Sequence, residues 1–202
     1  MKLSKELFCV YGVTDNNPTL KSIENAIKGG VKIIQLRMKN TDKNEFLEMA
    51  QRVKKICENK ALFIINDNVE IAKLIDADGV HLGQEDIDIK DARKVLENKI
   101  IGISAHNKEE AIKAEKSGAD YLGCGAMFAT DTKNNVTALS VSGLKEICDS
   151  VKIPVVAIGG INLDNMEKLK GCMADGVAVS GAIFKGDAKE NAKMLIERWK
   201  SL

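Results

Sequence analysis

IPVVAIGGINLDNMEKLKGCMADGVAVSGAI, residues 153–183, decides the fold. It contains two short apolar runs, 153–158 and 176–180, separated by a helix-like stretch at 163–170. Gly159-Gly160 follows the first run, and Ser180-Gly181 closes the second. Neither turn spells the G-x-G-x-x-G pattern of a dinucleotide fold. Paired glycine turns after two successive strands fit instead a (β/α)8 barrel, where the loops after strands seven and eight often bind phosphate. Glycine lets the backbone approach a ligand, and a helix that starts after such a turn offers free N–H groups and a positive dipole end.

Working outward from this stretch, further apolar runs lie at roughly 7–13, 32–37, 62–66, 79–82, 100–104 and 120–124, which makes eight in all. Helical spacing fills most of the gaps. Phe46, Leu47, Ala50, Val53 and Ile56 share one face of 41–57, with Thr41 and Asn44 as a cap. Residues 107–117 start at Asn107 as N-cap and stop at Gly118. Stretches 139–150 and 188–200 read the same way. Strands alternating with helices predict a parallel sheet. The expected fold is therefore α/β, a single (β/α)8 TIM barrel domain over 1–202. A doubly wound open sheet is the alternative that the count of eight argues against. GAD or DADG recurs at 77–79, 118–120 and 174–176 ahead of strands, and reads as a shared turn in which Gly or Asp ends each helix.

Composition narrows the function. The chain has 30 basic and 29 acidic side chains and a formal net charge of +1, with no run of like charge and no aromatic-basic cluster to suggest nucleic acid. No segment reaches the ~20 apolar residues of a membrane span. The opening MKLSKELFCVYGV reads as a first strand, not a signal peptide. Five cysteines, with no C-x-x-C pair, and only two histidines argue against a zinc site. They read as buried thiols of a cytoplasmic protein. Cys124 falls near the proposed site as a ligand-facing packing residue. The sequence leaves the oligomeric state open, a homo-oligomer included.

Polar punctuation falls just after the apolar runs, so in a parallel barrel it gathers at one rim. Gln35, Arg37 and Lys39 are spaced by two and share a strand face. Arg and Lys seldom sit there unless they meet an anion, the alternative being a solvated strand end. Asn66 and Asp67 follow LFII, and Asp86 follows GVHLGQE. Hard oxygen ligands from two neighbouring strand ends suit Mg2+, which is usually held by one or two carboxylates and substrate phosphates. Helix capping competes: Asp67 precedes Glu70 by three, and Asp86 stands before a helix near 88–97. Ser104 and His106 follow IIGI. Thr130, Thr132 and Lys133 lie in a long loop, 125–138, and offer hydroxyl and ammonium donors to phosphate, or else form a polar surface loop. His81 and His106 read as structural or supporting groups rather than bases. Two anion sites at one rim, one of them beside metal ligands, are the pattern for joining a diphosphate to a monophosphate substrate. No Ser/His/Asp or Cys/His set supports covalent catalysis.

These residues resemble the thiamine-phosphate synthase family. The matching segments are YGVTD (11–15), QLRMK (35–39), FIIND (63–67), ADGVHLGQED (77–86), GISAH (102–106), GADYLGCGAMFATDTK (118–133), IPVVAIGGI (153–161) and GVAVSGAI (176–183). The resemblance implies a barrel that joins a hydroxymethylpyrimidine diphosphate to a thiazole phosphate, giving thiamine phosphate and pyrophosphate. It implies Mg2+ on Asp67 and Asp86, and the diphosphate on Gln35, Arg37, Lys39, Asn66 and Lys133. Ser104 would lie beside the pyrimidine. Thr130, Thr132, the backbone of Gly160 and residues Ser180 and Gly181 would hold the thiazole phosphate. Arg37, Lys133 and Ser104 would be the catalytic groups of a dissociative reaction in which pyrophosphate leaves before the thiazole nitrogen attacks. Departures from the family pattern are Ala126 and Ala129 in place of loop prolines, Gly181 in place of a serine, and Met38 in place of an acidic residue. The alternatives are a thiazole tautomerase-like barrel, which has a His at the position of Ala126, and a non-catalytic thiamine-pathway binding protein.

Overall fold

The computed structural model describes residues 3–129 and 138–202. Eight parallel strands close into a barrel in sequence order: β1 (Val10–Val13), β2 (Ile33–Leu36), β3 (Leu62–Asn66), β4 (Gly79–Leu82), β5 (Ile100–Ala105), β6 (Tyr121–Gly125), β7 (Val155–Ile158) and β8 (Gly176–Val179). Pairing of β1 with β8 completes the ring and leaves no sheet edge. Around it run α1 (Leu20–Lys28), α2 (Lys43–Cys57), α3 (Val69–Leu74), α4 (Ile89–Leu96), α5 (Lys108–Ser117), α6 (Val141–Ser150), a short α7 (Gly181–Phe184) and α8 (Ala188–Lys200). The open-sheet alternative is excluded.

Alternation along the strands sorts the core into two compartments. Leu36, Ile65, Val80, Leu122 and Cys124 face the helices and pack with Ile23, Ala50, Ala92 and Leu195. Tyr11, Ile33, Ile64, Tyr121, Val156 and Ala178 fill the barrel interior, which Phe8 plugs from a 3-10 turn at Lys5–Phe8. Cys124 therefore belongs to the outer layer, fully buried, and the expectation that it faces a ligand is corrected. Burial also pushes the Cys57 and Cys148 thiols up to about 12, so they are held as neutral thiols.

Several helix boundaries differ from the sequence reading for local reasons. The cap of α2 is Asp42, not Thr41; its carboxylate accepts from the N–H groups of Asn44 and Glu45. The 163–170 stretch forms only a 3-10 turn, Met166–Leu169. Asn162 Oδ1 accepts from Asp164 N–H at 2.9 Å, and Asn165 Oδ1 from Asn162 N–H at 2.9 Å. These are capping bonds to amides that the first turn of a helix leaves free; the bonds that follow are of the i→i+3 kind, Lys168 N–H to the Asn165 carbonyl and Lys170 N–H to that of Glu167. Asn107 caps α5 and Gly118 ends it at φ +99°, as expected.

The recurring aspartate ahead of a strand has a different job from ending a helix. The register sets Phe63 opposite Asp78, Ile101 opposite Asp120 and Val155 opposite Asp175, one step before the even-numbered strands begin. Each aspartate closes on its partner twice. Its carboxylate accepts the partner's N–H, at 2.7, 2.8 and 2.9 Å respectively. Its own N–H donates to the partner's carbonyl, at 3.0, 2.8 and 2.8 Å. Three clamps thus pin β3 to β4, β5 to β6 and β7 to β8 at the N-terminal rim. Arg93 adds its guanidinium to Asp120 at 2.8 Å, and Lys5 its ammonium to Asp175 at 2.9 Å. Asp120→Ala strands the Ile101 amide and removes the carboxylate from the Arg93 guanidinium, which keeps its bonds to the Glu97, Lys99 and Gly118 carbonyls. The expected cost is about 2 kcal/mol and a melting temperature lower by about 4–8 °C. Asp120→Asn, which keeps an acceptor, should recover part of that loss in the same thermal melt.

Candidate active site

Among the described residues, the polar groups singled out after strands lie at the C-terminal rim, opposite the clamps. Gln35 ends its strand pointing inward and is buried, 4% exposed. β2 stops at Leu36, so Arg37 and Lys39 leave the ladder at the C-terminal end of the strand. The Arg37 N–H donates to Thr14 Oγ1 at 2.9 Å, which fixes its backbone to the end of β1. Among the described residues, no ion pair takes the Arg37 guanidinium. Lys39 Nζ stands 3.6 Å from Asp67 Oδ2.

Neither acid is spent on capping. Asn68, one place after Asp67, caps α3 through Ile71 N–H, and Asp88 caps α4 through Lys90 N–H. Asp67 itself adopts φ +61°, a conformation that takes it out of the helix and turns its carboxylate toward β4. There its carboxyl is pushed above the usual range by burial and by the Asp86 carboxylate within hydrogen-bonding reach, against the pull of Lys39 and Asn66. Asp86 Oδ2 accepts the Gly83 N–H at 2.6 Å, which folds the loop after β4 back on itself. Two carboxylates from adjacent strand ends are brought face to face. Among the described residues no group of three or more His, Cys, Asp or Glu comes together as a metal cage.

The floor of this mouth is polar. Ser104, at the end of β5, meets His81 Nε2 at 3.1 Å, and its carbonyl accepts from the Gln84 amide at 2.5 Å. His106 lies outside this floor, with Nδ1 2.9 Å from Glu110 Oε2. The floor rests on Tyr11 and Tyr121, which sequence reasoning passed over as core aromatics.

Across the mouth, Gly159 and Gly160 turn at φ +103° and +63°. A Cβ on Gly160 would lie 2.4 Å from the Ala129 carbonyl oxygen, so only glycine fits beneath the start of the long loop. The Asn165 amide donates to the Gly160 carbonyl at 2.8 Å and holds the turn. Ser180 stands at the N-cap of α7 and makes no side-chain capping bond; Gly181 opens the helix. Thr130, Thr132 and Lys133 lie outside the described residues.

A closed barrel with glycine turns after β7 and β8 and a cation–carboxylate cluster after β2–β4 places this chain in the class of (β/α)8 barrel enzymes that work at the C-terminal rim. The family is specific: residues 8–183 match the family model for thiamine monophosphate synthase, and the chain belongs to that family. A thiamine-phosphate synthase of Fusobacterium nucleatum is 48% identical over 198 residues, spanning 94% of this chain and 96% of that one. One from Clostridium acetobutylicum is 49% identical over 196 residues, 93% of each chain. The solved structure of thiamine phosphate pyrophosphorylase from Pyrococcus furiosus superposes with a TM-score of 0.89 at 39% identity, covering 98% of both chains. A 3-hexulose-6-phosphate synthase with a TM-score of 0.70 and 20% identity shares the fold alone.

Proposed function

We propose that this thiamine-phosphate synthase joins hydroxymethylpyrimidine diphosphate to thiazole phosphate and releases pyrophosphate, with the diphosphate bound over β2–β4 and the thiazole phosphate over β7–β8. The observation that carries the placement is the pairing of Asp67 with Asp86 beside Lys39. Two facing carboxylates are unfavourable on their own, and a divalent cation relieves them. A hard-oxygen donor pair with open positions fits Mg2+, which keeps most of its ligands for water and phosphate oxygens.

Bound there, Mg2+ would supply charge neutralisation to the diphosphate as its bond to the pyrimidine methylene breaks. Arg37 and Lys39 face the same oxygens, Arg37 as a fork and Lys39 as a point charge. Asn66, beside Asp67, adds a neutral amide. Ser104 would hold the pyrimidine on the floor of the mouth, and Gln35, on β2 at the other end of the hydrogen-bonded floor, would lie beneath the diphosphate. Gly160, Ser180 and Gly181 would present backbone to the thiazole phosphate, with the Gly181 and Ala182 amides free of helical acceptors while those of Ile183 and Phe184 donate to the Ser180 carbonyl. By the family resemblance, Lys133, Thr130 and Thr132, which lie outside the described residues, would complete the set. Rate enhancement then comes from stabilising the leaving diphosphate and aligning the attacking nitrogen.

Purified protein mixed with both substrates and Mg2+ should form thiamine phosphate and pyrophosphate in equal amounts, and EDTA should stop both. Product formation that is unaffected by EDTA would remove the metal from the reading. Absence of product with both substrates bound would remove the reaction.

A further inference from the structure

An unbroken file of hydrogen bonds crosses the barrel interior and links the two residues read here as substrate-facing, Gln35 and Ser104. The Gln35 amide donates to Tyr11 Oη at 2.7 Å. Tyr11 Oη meets Tyr121 Oη at 2.8 Å. Tyr121 Oη meets His81 Nδ1 at 2.9 Å, and His81 Nε2 meets Ser104 Oγ at 3.1 Å. Both tyrosines are 1% exposed and His81 8%, so water does not substitute for these partners. The space for the file is built in: a Cβ on Gly102 would sit 2.1 Å from the Tyr121 ring, and one on Gly123 would sit 3.0 Å from the His81 ring.

Counting protons gives the file a direction. Tyr11 receives a proton from Gln35, so its single hydroxyl proton goes to Tyr121. Tyr121, now an acceptor from Tyr11, gives its own proton to His81 Nδ1. An imidazole whose Nδ1 accepts carries its hydrogen on Nε2, and that hydrogen points to Ser104 Oγ. Ser104 is then an acceptor from below, and its hydroxyl proton is free for the mouth. A doubly protonated His81 would break this order, because Tyr121 would be offered two protons and have nowhere to place its own. Burial raises the pKa of both phenols, so neither leaves the file as a phenolate.

We propose that Tyr11, Tyr121 and His81 are positioning residues that lock His81 as the Nε2–H tautomer and hold Ser104 as a hydrogen-bond donor toward an unprotonated ring nitrogen of the substrate. The link to substrate rests on the reading of Gln35 and Ser104 given above; the tautomer does not. Recognition of the heteroaromatic ring is thereby set from the far side of the barrel, through Tyr11 of β1 and Tyr121 of β6.

The chain carries only two histidines, which makes the test direct. Nitrogen-15 NMR of the full chain, without substrates and at neutral pH, should show one imidazole with hydrogen on Nε2 and a bare Nδ1. The other, His106, has a carboxylate at Nδ1 and should carry hydrogen there; His106→Asn removes that signal and assigns the pair. In Tyr121→Phe the His81 signal should move to a tautomer mixture while His106 stays put. The same variant should raise KM for the pyrimidine diphosphate about tenfold and leave that for the thiazole phosphate within twofold. If Tyr121→Phe does not fold, Tyr11→Phe serves for both readouts, and the wild-type spectrum stands by itself. A His81 that carries hydrogen on Nδ1, or keeps its tautomer without the Tyr121 hydroxyl, overturns the relay. A fixed Nε2–H with an unchanged pyrimidine KM overturns its role in recognition. Lack of any turnover in the wild type would instead refute the proposed reaction and leave the tautomer result intact.

Discussion

Asp86→Asn should abolish most turnover while leaving the barrel as stable as before. Asn is nearly isosteric, and its amide oxygen can still accept the Gly83 N–H that Asp86 Oδ2 holds at 2.6 Å. The loop after β4 is therefore kept, and only the charge is lost. With one carboxylate left beside Lys39, the site gives up the anionic pair suited to a divalent cation. A loss of three to four kcal/mol of transition-state stabilisation, about 100- to 1,000-fold in kcat/KM, is the order expected when one such electrostatic partner is removed. Stability should move the other way. Asp67 is raised first by burial and then by Asp86. At neutral pH the ionised Asp67 beside Asp86 costs the metal-free fold some free energy. Removing the Asp86 charge relieves this, so the metal-free variant should melt at or slightly above the wild-type temperature. The gain belongs to the ionised Asp67: it is present above the raised Asp67 pKa and fades as pH falls through it, because a protonated Asp67 repels nothing. Full turnover with unchanged Mg2+ dependence would refute the metal assignment, and a marked drop in melting temperature would make Asp86 a structural residue.

Gly102→Ala should destabilise the barrel strongly, because the added methyl would enter the Tyr121 ring. Its Cβ would stand 2.1 Å from Tyr121 Cζ and 2.4 Å from the hydroxyl oxygen. The ring cannot retreat, since Phe8 lies 5.1 Å away, Tyr11 5.8 Å and His81 5.4 Å between ring centres. Moving it also breaks the Tyr121 bonds to Tyr11 and His81, leaving buried polar groups without partners. Overpacking at about 1–3 kcal/mol and a similar penalty for the stranded hydroxyl sum to roughly 4 kcal/mol. For a chain of this size the melting temperature should fall by about 8–16 °C. A shift within 2 °C would mean that the interior is far looser than its contacts imply.

Much of the active rim is legible in the sequence because β-strands are short, parallel and end where the polar residues begin. Gln35, Asn66 and Ser104 could be placed at strand ends from alternation alone, and the glycine turns after β7 and β8 from their spacing. What alternation could not decide was which of two adjacent residues caps a helix. Asp67 and Asn68 are both good caps by type, and so are Asp86 and Asp88. The outcome depends on the positive φ of Asp67 and on where the first helical N–H falls, a matter of one residue that only the three-dimensional course of the loop resolves. The tyrosines were hidden for another reason. An aromatic residue in a strand reads as core whether or not its hydroxyl is used, and Tyr11 and Tyr121 find their partners on other strands, Gln35 of β2, His81 of β4 and, across the ring, each other. A trace was present in the glycines of β5 and β6, which make room inside a barrel that branched residues would otherwise fill. Met166 and Leu169 of the 163–170 stretch are buried, but the backbone there closes i→i+3 bonds and stops after one 3-10 turn.

The aspartate clamps divide cohesion from chemistry by geography. Every one of them lies at the bottom of the cylinder, and every proposed contact with substrate lies at the top. Ala126, Ala129 and Gly181, three of the departures that the sequence reading noted from the resemblance, are upper-rim positions, at the opposite end of the barrel from Asp78, Asp120 and Asp175. A lineage can therefore rewrite what the mouth grips without loosening the hoop that holds the staves together.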